Sequence, residues 1–218
     1  MTKTDKPGEE KKQFYPYGTL KELMFVKDGK IEGEYTSYFE NGQIMVQLHF
    51  TEGKRNGEAA SYYENGTMRE KANFVNDNLE GGYVSYYENG NVKEEENYKD
   101  GKLDGLYRSY FETGQIKDEE HFANGEFDGE YIAYYSTGQI REKGAFQKDK
   151  RTGDYIAYFQ NGQVKEKATY KDGKLVGKFC AYPAPDDDID KISAEDMEEK
   201  DITGLLDDLA DFDKKKPK

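Results

Sequence analysis

The chain has 218 residues, with 32 Lys and Arg against 45 Asp and Glu, a net charge of −13 and a mean hydropathy of −1.09. A hydrophobic content of 34% beside a charged content of 35% is too polar for a compact globule of this length. The acidic field opposes nucleic acid and anionic membrane as general partners, and no apolar run approaches the ~18 residues of a membrane span.

Residues 1–13 are polar and charged, without the apolar core of a secretory signal, and read as a disordered leader of a cytoplasmic protein. Phe14-Tyr15-Pro16-Tyr17-Gly18 opens a partial unit, with Leu20 and Val26 on its second strand. From there the chain is periodic. A glycine recurs at 33, 57, 81, 105, 129, 153 and 177, each step being 24 residues, and a second column falls at 18, 42, 66, 90, 114, 138 and 162. A fixed period of this size marks a repeat array. The six full units are numbered here from their opening glycines, unit one being residues 33–56 and unit six residues 153–176.

Within unit one, the aromatic and β-branched residues Tyr35–Glu40 suit a strand, Asn41-Gly42 predicts a two-residue type I′ hairpin turn, and Gln43–Phe50 forms the return strand. The second turn reads Asp100-Gly101-Lys102 and Asp172-Gly173-Lys174 in other units, while Lys148-Asp149-Lys150 departs from it. The expected fold is all-β: an elongated, single-layer antiparallel meander of 24-residue β-hairpins over residues 14–182. About fourteen strands at ~4.8 Å spacing would make a twisted ribbon roughly 65–70 Å long.

A two-residue turn sets paired numbers in unit one to a sum of 83. One face then pairs Phe39 with Ile44, Ser37 with Val46 and Tyr35 with Leu48, and it repeats as Tyr63–Met68, Tyr87–Val92, Phe111–Ile116, Tyr135–Ile140 and Phe159–Val164. This is the expected packed face, with small residues at its middle and Phe50, Phe74, Tyr98, Phe122, Phe146 and Tyr170 at its outer end. The other face pairs Tyr62–Arg69, Tyr86–Lys93, Tyr110–Lys117, Tyr134–Arg141 and Tyr158–Lys165 as exposed cation–π contacts.

Cys180 is the one cysteine, which excludes an intrachain disulfide and a thiolate metal cluster. His49 and His121 share a column six strands apart, roughly 29 Å, too far to share a metal or substrate. Acids recur at Glu70, Glu94, Asp118, Glu142 and Glu166, near the outer spacing of a glycosidase pair. Repetition in equivalent environments argues against catalysis, because such a pair needs two different pKa values. No enzyme activity, cofactor or metal is expected.

Pro183 and Pro185 end the array. Residues 183–218 form an acidic tail, in which residues 185–218 carry 13 acids and 6 bases. Ile202, Leu205, Leu206, Leu209 and Phe212 recur at helical spacing, so a short amphipathic helix is expected that either covers the array's end or docks in a partner's groove.

The run Tyr-Tyr-Glu-Asn-Gly, a strand, then Tyr-Lys-Asp-Gly-Lys-Leu-x-Gly, seen from Tyr86 to Gly105, is similar to the MORN repeat and more closely resembles its bacterial YwqK-type variant, an antitoxin component of toxin–antitoxin systems. The resemblance implies an open, curved sheet acting as a scaffold for protein partners. Some members are linked to phosphoinositides. The expected function is therefore a non-catalytic protein-interaction scaffold whose groove is lined by Tyr83, Tyr107, Tyr131 and Tyr155. The tail residues Leu205, Leu206, Leu209 and Phe212 form a second candidate contact, and the acidic field favours a basic partner. The alternatives are an antitoxin neutralising a toxin by direct binding and a membrane-surface scaffold.

Overall fold

A computed structural model describes residues 8–184. Within them lies one sheet of eighteen strands, all pairings antiparallel, each pass hydrogen-bonded to the pass before it. Three passes are each interrupted and count as two strands, such as Asn78–Leu79 followed by Gly81–Tyr86, so the chain crosses the sheet fifteen times. The meander is as expected, but it starts earlier. Glu9–Phe14 is a strand paired with Leu20–Lys27, so residues 9–13 are part of the sheet and not a leader. Its charges, Glu9-Glu10-Lys11-Lys12, suit an edge strand, where they discourage further pairing. The expected tail helix lies outside the described residues.

The two turns of each unit have the reverse of the expected chemistry. At Asn41-Gly42 the loop has three residues. Gly42 N–H donates to Phe39 O at 2.9 Å, and Phe39 N–H donates to Gln43 O at 2.8 Å. Only Gly42 takes positive φ, +85°, while Asn41 instead accepts the Gln43 N–H on its side-chain oxygen at 2.9 Å. A type I turn closed by a left-handed glycine shifts the ladder. The sum of 83 holds from Gly33 to Ser37, but Tyr38 then faces Ile44, so the expected Phe39–Ile44 pairing does not form.

The two-residue type I′ turns sit at the other end. Asp28-Gly29, Glu52-Gly53, Asn76-Asp77, Asp100-Gly101, Asn124-Gly125, Lys148-Asp149 and Asp172-Gly173 all have positive φ at both positions. Lys148-Asp149 is thus a member of this series without glycine. Successive turns are tied by backbone bonds, as from Gly125 N–H to Leu103 O at 2.7 Å.

The packed side carries the aromatic row expected at its outer end, and the structure supplies that row's other half. Each of these residues faces a partner across the second turn: Phe50 with Arg55, Phe74 with Leu79, Phe122 with Phe127 and Tyr170 with Leu175. Ring centroids are 4.3 Å apart for Phe122–Phe127 and 5.2 Å for Phe127–Phe146. These partners form a 24-residue column of their own (Ile31, Arg55, Leu79, Leu103, Phe127, Arg151, Leu175), a periodicity also legible in the sequence. The most enclosed side chains gather toward the C-terminal units: Tyr131, Ala133 and Phe146 in one cluster, and Tyr155, Ala157, Ala168 and Tyr170 in the next.

Candidate interaction surface

The expected tyrosine column lies on the packed face, and its members are not equivalent. Tyr131 is 2% exposed and Tyr155 9%, whereas Tyr83 and Tyr107 are half-buried. Each meets the outer aromatic of its unit edge-on, Tyr83–Tyr98 at 6.2 Å, Tyr107–Phe122 and Tyr131–Phe146 at 6.1 Å, and Tyr155–Tyr170 at 6.4 Å, an arrangement that favours ring quadrupoles. Burial raises the phenol of all four above its ordinary value, Tyr83 to about 12. Nearby acids add to the effect, Glu70 for Tyr83, Glu94 for Tyr107 and Glu142 for Tyr131 and Tyr155. Tyr131 and Tyr155 are therefore structural pillars, while Tyr83 and Tyr107 offer surface. Leu205, Leu206, Leu209 and Phe212 lie outside the described residues.

Beside this column runs a ladder of alternating small and acidic residues. Ser61 faces Glu70, Glu70 faces Ser85, Ser85 faces Glu94, and the pattern continues through Ser109, Asp118, Ala133 and Glu142. Ser85 and Ser109 donate to Glu94 and Asp118 at 3.0 and 2.7 Å. The cations assigned to the opposite face join this ladder. A bulge in the return strand, between Met68 and Glu70, displaces position 69 and its equivalents from their tyrosines. Arg69, Lys93, Lys117, Arg141 and Lys165 lie 3.0–3.9 Å from the carboxylate that follows each in the chain. The expected tyrosine–cation stacks are replaced by these ion pairs. On the far face the tyrosines turn to the preceding unit: Tyr110 donates to Glu95 at 2.6 Å and Tyr134 to Glu119 at 2.9 Å. Glu119 also holds Arg108 at 2.8 Å, and that contact keeps its carboxyl below the usual range.

A second column of the packed face, facing the tyrosines, is apolar in some units and acidic in others. Met24, Leu48, Ala72, Gly144 and Ala168 occupy it in other units, but units three and four place Glu96 and Glu120 there. Glu96 is 8% exposed and accepts a short hydrogen bond from Tyr98. Glu120 lies between Tyr107 and Tyr131 in the ladder. Burial, reinforced by Asp118, pushes its carboxyl up to about 7, and burial also raises Glu96. Desolvated carboxylates are costly, and the fold is built without them in the remaining units. Charge follows the same division. Units three and four, residues 81–128, hold twelve acids and five bases, whereas units five and six, residues 129–176, hold six acids and nine bases.

Comparison with known families decides the class of this array. A family model described as the MORN repeat variant matches six segments, residues 31–52, 55–76, 79–100, 103–124, 127–148 and 151–172, more than half of the chain. The protein belongs to the MORN repeat variant family. No curated protein matches it. Each MORN segment runs from one type I′ turn to the next, so the family unit is centred on the three-residue loop and carries one copy of every column described above.

Proposed function

We propose that this MORN-repeat protein is a non-catalytic scaffold that holds a protein partner along the packed face of its central units, and that the contacted segment of that partner is rich in Lys and Arg. The observation that carries this reading is the exchange of apolar residues for Glu96 and Glu120 in two adjacent units. The exchange puts carboxylates beside the half-buried Tyr83 and Tyr107, on a face that no second layer covers among the described residues. Tyrosine rings and carboxylates together suit a cationic side chain, the rings by cation–π attraction and the acids by charge. Repetition of an acid in five of the six units, at Glu70, Glu94, Asp118, Glu142 and Glu166, supports a structural or binding use over catalysis. A toxin neutralised by direct binding would be one such partner.

The test is a titration of isotope-labelled protein with extended Lys/Arg-containing peptides, followed by NMR, in the parent and in Glu96→Gln/Glu120→Gln. Shifts centred on Tyr83, Tyr107 and their neighbours, lost in the variant while its spectrum stays folded, are expected. Shifts confined to the opposite face, or undiminished in the variant, would overturn the proposal.

A further inference from the structure

The far face of the sheet changes character in the last two units. Directly paired residues there form a row across successive strands. Ile132 faces Lys143, Lys143 faces Ile156, Ile156 faces Lys167, and Lys167 faces Cys180. In the central units the same row reads Val84, Glu95, Arg108 and Glu119, with Arg108 and Glu119 paired to each other. Toward the C-terminal end it therefore turns from a net-acidic strip, two glutamates to one arginine, into isoleucines separated by exposed lysines, within residues 129–182, which hold ten bases and six acids.

The chain itself carries a segment of matching chemistry. Asp201–Asp213 sets Ile202, Leu205, Leu206, Leu209 and Phe212 among five aspartates, within a tail of thirteen acids and six bases. We infer that this acidic, apolar segment docks on the row Ile132–Lys143–Ile156–Lys167 of its own molecule, its leucines against the isoleucines and its aspartates against the two lysines. The geometry permits it. A flexible chain of the length between Ala184 and Ile202 spans roughly 23 Å. The row from Cys180 back to Ile132 crosses four strand spacings, roughly 19 Å. A tether of this length holds the segment at an effective concentration in the millimolar range, so modest contacts suffice. The central units repel it, since their far face presents Glu95 and Glu119 and their surroundings are acidic. The tail is thus directed away from the proposed partner surface and onto the basic end, and the inference fails or stands separately from the scaffold reading.

Cys180 ends the row and is the only cysteine, so a nitroxide attached to it reports on the tail without further mutation. In the isotope-labelled full chain, a free tail would show broadening that declines steadily from Pro185 onward. Docking predicts instead a second maximum at Ile202–Phe212, at least twofold stronger than at residues 190–198. It should weaken in 0.5 M salt and disappear in Lys143→Glu/Lys167→Glu and in Leu205→Asp/Leu209→Asp. The second variant leaves the array untouched, so misfolding cannot imitate the result. A monotonic decline in the parent would overturn the inference. So would a maximum that vanishes when the labelled chain is diluted with unlabelled protein, since the occupant would then be a second copy.

Discussion

Units three and four and units five and six share one backbone and differ in what fills it. At the column facing the tyrosines, the first pair has Glu96 and Glu120, and the second pair has Gly144 and Ala168. The apolar choice lets Tyr131 and Tyr155 bury against Phe146 and Tyr170. The acidic choice leaves Tyr83 and Tyr107 half-buried beside carboxylates whose titration burial raises. A single-layer sheet has no second layer to hide an error, so the acidic column keeps its rings at the surface while the apolar one encloses them; in the proposed scaffold, units three and four would serve contact and units five and six stability.

The sharpest way to break this comparison is to remove one tyrosine from each half. Tyr131→Ala should lower stability by about 3–5 kcal/mol, as for a fully buried ring. Tyr83→Ala should lower it by about 1–2 kcal/mol. Urea unfolding of the two variants decides, and equal losses would erase the distinction.

A smaller effect is expected at the opening glycines. Gly129 has φ +134°, and a Cβ there would stand 2.7 Å from His121 Cβ, whereas Gly33 at φ +82° has open space around it. Gly129→Ala should cost about 2 kcal/mol, and Gly33→Ala only the strain of its backbone, about 1 kcal/mol.

The carboxylates give a prediction with a sign. Glu120 titrates near 7 in the folded chain and near its ordinary 4.5 when unfolded. Folding therefore binds its proton more tightly between those values. The stability it contributes is present below about pH 4.5 and is lost as pH rises through about 7. Glu120→Gln should add about 1–3 kcal/mol at pH 8 and flatten the profile between pH 5 and 7. A variant with an unchanged slope would show that Glu120 is solvated. The least effect is expected at Lys148-Asp149, one of the two turns without glycine, where Lys148 sits at φ +51°. Lys148→Asn should raise stability by about 0.5–1 kcal/mol, read from the urea midpoint.

The period of 24 determined the strand count per unit, the meander, the aromatic rows and the packed side, because apolar alternation and turn glycines are local signals that add up when repeated six times. The sequence alone also located the acid column and the break in composition after Ala184. Tertiary structure decided which turn was which. Asn41-Gly42 fits a two-residue hairpin equally well on paper, but the asparagine satisfies the next amide with its own side chain and leaves only the glycine left-handed. A bulge farther along the return strand then carries Arg69 and its equivalents from the tyrosines to the carboxylates. Burial was likewise not local: Tyr83 and Tyr131 occupy the same column, yet Tyr83, facing Glu96, is half-buried, while Tyr131, set between Glu120 and Gly144 and packed on Phe146, is enclosed.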